Sequence, residues 1–163
     1  MHASSLDEVH APRDTMAMAR EAADYGVGVD SELVARWRER LPSLRRSPRL
    51  FTEREREYCD RFADPAPVYA GSWCAKEAVF KAVSRFGQLT IDQIEIERLA
   101  TGCPDVRLPA ALAARVSVRV SITHDAERAV AFAVATLRSA NDDESGASAR
   151  VRDAADTACA RFR

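Results

Sequence analysis

The 163-residue chain lacks the features that define several large classes of protein. Its longest apolar stretch covers only residues 129–135, whereas a membrane-spanning helix needs roughly 20 apolar residues. We therefore expect no membrane span. Glycine and proline are scarce, at 6 and 7 residues, which excludes collagen-like chains. The net charge is only -1 and 47% of the residues are hydrophobic, which argues against disorder and predicts one globular domain.

Cysteine pairs with the spacing of metal ligands are also missing. The four cysteines, Cys59, Cys74, Cys103 and Cys159, form no C-x-x-C pair. This argues against a zinc site and predicts small, reduced side chains. Residues 1–14 lack the basic start and apolar run of a signal peptide. Together these absences predict a cytoplasmic protein.

Lysine is the scarcest charged residue. Of the 24 basic residues 22 are arginine, and the two lysines, Lys76 and Lys81, lie within six residues of each other. Lysine carries a compact ammonium that suits a phosphate, whereas arginine carries a wide planar fork. The pair therefore indicates a site that needs a narrow cation, with chance clustering as the alternative.

The patterns along the chain predict an α+β domain. We expect an N-terminal extension at residues 1–22, a folded domain at residues 23–138 and a polar C-terminal tail at residues 139–163. Strand signals cover residues 25–30, 91–98, 104–108, 116–123 and 128–137, and helix signals start at residue 31 and cover residues 52–61 and 68–86. Thr52 and Glu55 form a capping box for the second helix. The order predicts an antiparallel sheet with a long helix packed on it.

Three carboxylates and one lysine form a candidate site. Asp30 and Glu32 follow the first strand, and Glu77 precedes Lys81 by one helical turn. Carboxylates of this kind bind Mg²⁺, which together with an ammonium neutralises a phosphate substrate. On spacing alone the commoner explanation is a surface Glu–Lys pair. His124, at the end of the predicted hairpin, either orients a phosphate or is simply solvated.

Residues 36–49 form a basic segment, with six arginines against one glutamate and Pro42 and Pro48 as expected helix breakers. An acidic protein, the phosphates of a cofactor and nucleic acid are candidate partners. Aromatic residues are sparse there, and the chain as a whole is nearly neutral. These two observations argue against nucleic acid.

Four sequence blocks occur in an order that resembles a known family. They are GVD at 28–30, FTEREREYC at 51–59, WCAKEAVFK at 73–81 and VSITHD at 120–125. They resemble the 4′-phosphopantetheinyl transferases of the holo-acyl-carrier-protein synthase type. The match is closest to the transferase domain of fungal-type fatty acid synthases, which also carry a second acid, like Glu32, and an Ala-Gly-x-Trp motif, as at 70–73.

The resemblance implies a fold, a reaction and an assembly. The family transfers the 4′-phosphopantetheine arm of coenzyme A to a serine of an apo acyl carrier protein and releases adenosine 3′,5′-bisphosphate. Family members with a single copy of the unit form trimers with sites between subunits, so we expect a homotrimer. We expect no nucleic acid and no membrane among the partners.

The resemblance also assigns roles to residues. It implies Mg²⁺ ligands at Asp30, Ser31 (through its carbonyl), Glu32 and Glu77. It implies coenzyme A contacts at Lys76, Lys81, Tyr58, Thr123 and His124, and catalytic roles for Glu77, Lys81, Asp30 and His124. The basic segment is expected to dock the acidic carrier through Arg36, Arg45 and Arg46. The alternative function is a non-catalytic module that has the same fold and only binds carriers or synthases.

Overall fold

The computed structural model describes residues 25–44, 47 and 49–138. The extension and the tail expected at either end, and Arg45 and Arg46, lie outside the described residues. The described elements are, in chain order, β1 (Tyr25–Leu33), α1 (Val34–Leu44), α2 (Glu53–Cys59), α3 (Ala66–Val83), a 3-10 turn (Ile91–Gln93), β2 (Glu95–Arg98), β3 (Pro104–Arg107), α4 (Ala110–Ala113), β4 (Val116–His124) and β5 (Arg128–Leu137).

The strands form two antiparallel sheets. In the larger sheet β5 lies between β1 and β4 and is antiparallel to both. β2 and β3 form a separate two-stranded sheet. The predicted hairpin between β4 and β5 is present, and Asp125 closes its turn by accepting hydrogen bonds from the amides of Glu127 and Arg128, both at 2.8 Å. The predicted α+β class with an antiparallel sheet is confirmed.

Several element boundaries differ from the sequence prediction. The first helix was expected from Ser31, but β1 stays paired with β5 as far as Leu33, opposite Arg128. Pro42 does not break α1, which continues to Leu44 because Trp37 and Leu41 bury its apolar side. The strand predicted over residues 91–98 is divided into the 3-10 turn and β2.

The predicted capping box at the start of α2 is confirmed. The Thr52 hydroxyl accepts a hydrogen bond from the Glu55 amide at 3.2 Å, and Glu55 accepts one from the Thr52 amide at 2.7 Å. Two amides that have no partner within the helix are thereby satisfied.

Small residues line the inner face of the larger sheet, which is the face towards α3. On β5 they are Ala129, Ala131, Ala133 and Ala135, which are at most 1% exposed. On β1 the same face carries Gly26 and Gly28, both buried. Because side chains alternate between the two faces of a strand, the next residues of β1 on this face are Asp30 and Glu32.

The backbone of α3 lies directly on β1. A Cβ atom added to Gly26 would lie 2.0 Å from the carbonyl oxygen of Ala82, and one added to Gly28 would lie 1.9 Å from that of Ala78. No side chain fits in either gap. Each step of two residues along β1 therefore corresponds to one turn of α3, and this close contact fixes the position of the helix on the sheet.

The cysteines of the described residues fall into two groups. Cys59 and Cys74 are free thiols in the core, and burial raises the pKa of each to about 12. Cys103 takes part in a disulfide, so the expectation that all the cysteines are reduced is wrong for this residue. Within the described part of the chain no helix is long and apolar enough to cross a bilayer.

We predict that Gly28→Ala destabilises the fold by about 3 kcal/mol or more, because the added methyl group meets the backbone of α3 and the packing must open. Ser31→Ala is the control, since Ser31 lies in the same strand with its side chain exposed. Urea unfolding followed by circular dichroism measures both variants. Equal stability of the two variants would contradict the close packing.

Candidate functional site

Three carboxylates come together where β1 passes the middle of α3. Asp30 and Glu32 reach this point from the inner face of β1, and Glu77 reaches it from α3. Burial, followed by the charge of Asp30, raises the pKa of Glu77, and Glu32 contributes in the same direction. The sequence prediction that these residues share one site agrees with this arrangement, which we call the acidic pocket.

Lys81 closes one side of the acidic pocket. Its Nζ lies 2.8 Å from Asp30 Oδ1 and donates a second hydrogen bond, at 3.0 Å, to the carbonyl of Val29. The contact with Asp30 raises the pKa of Lys81. The side chain remains 45% exposed, so the ammonium keeps a side open to solvent, where it is free to meet an anionic ligand.

The second oxygen of Asp30 is the most informative atom in the pocket. Oδ2 is buried and has no hydrogen-bond partner among the described residues. The Cys74 thiol lies beside this carboxylate and interacts with it, but a thiol is only a weak donor, and it also donates to the carbonyl of Ala129 at 3.5 Å. A buried carboxylate oxygen without a partner is costly, and a bound cation is one way to satisfy it.

The donor set of the acidic pocket suits Mg²⁺ better than a transition metal. Among residues 25–44, 47 and 49–138, no three His, Cys, Asp or Glu side chains are arranged to enclose an ion. Mg²⁺ is commonly held by one or two carboxylates and fills its remaining positions with water and substrate phosphate. Asp30 and Glu77 are carboxylates of the kind that this ion takes, and Glu32 lies close enough to raise the pKa of Glu77.

Glu32 also borders a cavity of about 230 Å³ beside the acidic pocket. The Trp37 indole donates a hydrogen bond to Glu32 Oε2 at 3.4 Å. The cavity has basic and apolar walls, which are formed by Arg36, Trp37, Arg40, Leu44, Leu50 and Trp73. It has room for a narrow chain, such as an alkyl amide or an extended loop.

Helix α1, which carries the arginines of this cavity, is anchored to the β4–β5 hairpin. The Val34 amide donates to the carbonyl of Glu127 at 2.9 Å, and Arg38 donates to that of Ala126 at 3.2 Å. Arg38 also pairs with Asp64 at 2.7 Å. Arg36 is exposed, as predicted for a docking residue, but nothing in the structure of the single chain tests that role.

Thr123 and His124 lie at the exposed end of β4. The His124 ring packs over Gly71 of α3, where an added Cβ would lie 3.3 Å from the ring and 3.0 Å from Ile122. This contact explains the glycine of the Ala-Gly-x-Trp motif at 70–73. The hydroxyl of Thr123 and the ring of His124 are thus available to a ligand or to another subunit.

Lys76 lies outside the acidic pocket, in the core of the protein. Its side chain is 1% exposed and its ammonium pairs with Glu55 at 2.8 Å in the core. The expected contact with coenzyme A finds no support here, because the ammonium is closed off from solvent. Ser31, an expected carbonyl ligand, has its side chain on the opposite face of β1, where its hydroxyl meets Arg128 at 3.5 Å.

Tyr58 lines a wide groove between α2 and the second sheet, which we call the basic groove. The groove holds about 720 Å³ and contains three arginines, Arg54, Arg61 and Arg98, against two glutamates, Glu57 and Glu97, and Glu97 pairs with Arg54 at 3.2 Å. The Arg98 guanidinium stacks over the Tyr58 ring at 5.0 Å, and its buried Nη1 has no hydrogen-bond partner in the described structure. A flat, anionic ligand suits these walls.

Sequence reasoning missed three residues that shape these sites. Arg98 gave no signal, because it is one of many arginines and lies in a short strand. Trp37 gave no signal of its hydrogen bond to Glu32, because the expected start of the first helix did not predict which way the indole points. Glu55 was identified as a cap, but its second partner, Lys76, is 21 positions away and no local pattern connects them.

Comparison with known proteins identifies the family. The profile of the 4′-phosphopantetheinyl transferase superfamily matches residues 26–135. The fatty acid synthase subunit alpha of Saccharomyces cerevisiae is 39% identical over 127 residues, which cover 72% of this chain and 7% of that protein. The holo-[acyl-carrier-protein] synthase of Nocardia farcinica is 38% identical over 126 residues, covering 67% of this chain and 85% of that protein. The chain therefore spans less than a tenth of the fungal subunits it matches.

Solved structures agree with this assignment. The acyl carrier protein synthase of Mycobacterium tuberculosis superposes with a TM-score of 0.56 and 34% identity, covering 69% of this chain and 97% of that chain. A coenzyme A complex of the synthase from Chronobacterium ammoniagenes superposes with a TM-score of 0.59 and 25% identity, covering 71% and 98%. The chain thus belongs to the 4′-phosphopantetheinyl transferase superfamily and has the fold of the holo-acyl-carrier-protein synthases.

Proposed function

We propose that the chain transfers the 4′-phosphopantetheine arm of coenzyme A to a serine of an apo acyl carrier protein. The observation that carries this proposal is the acidic pocket, in which Asp30, Glu77 and Lys81 meet with one carboxylate oxygen left unsatisfied. A module that only binds carriers has no need of such a cluster. The superfamily assignment and the coenzyme A complexes of relatives support the same reaction.

The proposed reaction is a phosphoryl transfer. The serine oxygen bonds to the phosphorus that carries the pantetheine, and the bond from this phosphorus to the bridging oxygen breaks. Adenosine 3′,5′-bisphosphate leaves with the bridging oxygen. Catalysis of such a step depends mainly on positioning and on neutralising charge.

The side chains in and around the acidic pocket have separate proposed roles in metal binding, phosphate binding and proton transfer. Asp30 and Glu77, with Glu32 nearby, would hold Mg²⁺, which when bound supplies positive charge for the pyrophosphate. Lys81 donates to the phosphate oxygens from its exposed side. Glu77 accepts the proton of the serine hydroxyl as the general base. His124 and Thr123 contribute hydrogen bonds to the phosphates.

The basic groove is our candidate for the adenosine end of coenzyme A. Arg54 is paired with Glu97, which leaves Arg61 and Arg98 to meet a nucleotide phosphate, and Tyr58 with Arg98 offers a stacking surface for a base. The unpartnered Nη1 of Arg98 is a donor in need of an acceptor. These features support the expected role of Tyr58 in binding the substrate.

The carrier is proposed to dock on α1. Arg36 and Arg40 border the cavity next to Glu32, and their guanidinium groups make no hydrogen bond or ion pair with the described residues, whereas Arg38 is engaged with Asp64 and the hairpin. An acidic carrier helix placed against Arg36 and Arg40 would bring its serine to the acidic pocket. Arg45 and Arg46 extend the same basic segment and are proposed to add to the docking.

The outer face of the larger sheet supports a homotrimer. This face, which points away from α3, leaves large apolar side chains half exposed: Tyr25 at 49%, Val27 at 49%, Val29 at 57% and Phe132 at 46%. Val29 lies opposite Phe132, and Val27 lies opposite Val134, so the residues form one continuous patch. A patch of this kind marks an interface. We propose that copies of the chain cover it and that Thr123 and His124 then reach a neighbouring active site.

We predict that Glu77→Gln lowers the transfer rate by about 100-fold or more, because the general base and a metal ligand are both lost. The measurement is intact-mass spectrometry of an apo acyl carrier protein incubated with the protein, coenzyme A and Mg²⁺. Glu53→Gln is the control, as Glu53 is an exposed glutamate of α2. If the wild-type protein adds no phosphopantetheine to any of several carriers, the non-catalytic module becomes the better explanation.

Replacing both Arg36 and Arg40 with Glu should raise the KM for the carrier by about 10-fold or more and leave the KM for coenzyme A within about twofold. Steady-state kinetics at two salt concentrations tests this, since the variant should also lose salt sensitivity. Arg115→Glu serves as the control, because Arg115 is exposed just before β4, at the end of that strand opposite His124. Equal rises in both KM values would contradict docking on α1.

Val27→Lys should convert the trimer to monomers, because it places a charge in the centre of the apolar patch. Light scattering after size-exclusion chromatography measures the mass, with Ala111→Lys, an exposed position of α4 outside the sheet, as the control. A monomeric Val27→Lys protein with full activity would contradict active sites shared between subunits.

A further inference from the structure

The surroundings of Lys76 indicate a role that differs from substrate binding. Its ammonium lies 2.8 Å from Glu55 Oε2 and donates to the carbonyl of Ile94 at 2.6 Å. The ring of Phe51 lies 5.8 Å away on another side. With a side chain only 1% exposed, Lys76 has its polar contacts satisfied within the protein.

Glu55 is equally engaged. Its Oε2 also accepts the Thr52 amide at 2.7 Å, and its Oε1 accepts the Ile96 amide at 2.8 Å. One carboxylate thereby joins the start of α2, the strand β2 and the middle of α3. A helix cap needs only the contact with the Thr52 amide. The contacts with the Ile96 amide and with Lys76 therefore have a function other than capping.

The geometry of α3 links these contacts of Glu55 and Lys76 to the acidic pocket. Consecutive residues of a helix differ by about 100° in direction, because one turn takes 3.6 residues. Lys76 therefore faces α2 and β2, while Glu77 faces β1 and the acidic pocket. Any rotation or slide of α3 that moves Lys76 moves Glu77 and Lys81 as well.

We propose that the Glu55–Lys76 pair positions Glu77 and Lys81 against Asp30, and that Lys76 does not touch coenzyme A. The inference rests on the proposed transferase function. Gly26 and Gly28 fix how closely α3 approaches β1, but a smooth glycine surface does not by itself fix rotation about the helix axis. The buried pair supplies that constraint from the opposite side of the helix.

The cost of losing the pair is expected to appear at the active site. Removing one partner of a buried ion pair leaves an uncompensated charge, which drives the surroundings to rearrange. Removing both charges together leaves no such charge. A misplacement of about 1 Å in a catalytic group lowers the rate by about 100-fold, so a small shift of α3 is enough to be measured.

The test compares Lys76→Met, Glu55→Gln and the double variant in transfer kinetics with an apo carrier. We expect each single variant to lower kcat by about 10- to 100-fold, with the KM for coenzyme A within about threefold. The double variant should regain stability, because no unpaired buried charge is left, but it should keep the kcat defect, because the pair that positions α3 is still missing. Direct titration of coenzyme A into each variant by calorimetry should show little change in affinity.

A direct coenzyme A contact gives the opposite pattern. Lys76→Met would then raise the KM and the dissociation constant for coenzyme A by about 10-fold or more, and Glu55→Gln would not restore them. That result overturns the positioning role while leaving the transferase intact. A wild-type protein without transfer activity would instead overturn the proposed function, and this inference with it.

A matched control distinguishes a general loss of stability from a loss of the positioning of Glu77 and Lys81. Leu112→Ala removes a core side chain of α4, away from the acidic pocket, and should lower the melting temperature without lowering kcat at a temperature where it is folded. An equal fall in kcat for Leu112→Ala would overturn the positioning role. If Lys76→Met does not fold, Glu55→Gln distinguishes the two roles of Lys76. A positioning role predicts that Glu55→Gln lowers kcat, whereas a direct contact of Lys76 with coenzyme A predicts that kcat is unchanged.

Discussion

The contact between the backbones of α3 and β1 is the constraint on which the rest of the structure depends. Gly26 and Gly28 leave no gap for a side chain, so the carbonyls of Ala82 and Ala78 approach the strand directly. The alanines of β5 extend the same smooth surface beneath the helix. A helix seated this closely cannot tilt without a collision, which gives the core a fixed geometry despite its small side chains.

The acidic pocket follows from the same register. Ala82 lies over Gly26 and Ala78 over Gly28, so the next turn of the helix brings Cys74 to Asp30. At this point the strand carries a carboxylate in place of a glycine. The small thiol leaves room for it, and the pocket opens where the close packing ends. The charged groups thus meet at the edge of a rigid contact, which is where preorganised catalytic groups are best supported.

Local patterns in the sequence predicted the parts of the structure that depend on neighbours along the chain. The capping box of Thr52 and the hairpin closed by Asp125 are of this kind, since their residues lie within a few positions. The start of α1 was misplaced because pairing with β5 extends β1 to Leu33, and no local signal reports that pairing. The family motifs assigned Asp30, Glu77 and Lys81 to one site, but they did not separate Lys76 from it.

The two lysines illustrate why a shared motif does not imply a shared role. Each ammonium donates to a backbone carbonyl and pairs with a carboxylate: Lys76 with the Ile94 carbonyl and Glu55, and Lys81 with the Val29 carbonyl and Asp30. They differ in exposure, at 1% and 45%. A buried ammonium with every side occupied holds structure together, whereas a half-exposed one beside an unsatisfied carboxylate is placed to bind a phosphate. Position along the helix accounts for the difference, because five positions of about 100° each place the two side chains about 140° apart around the helix axis.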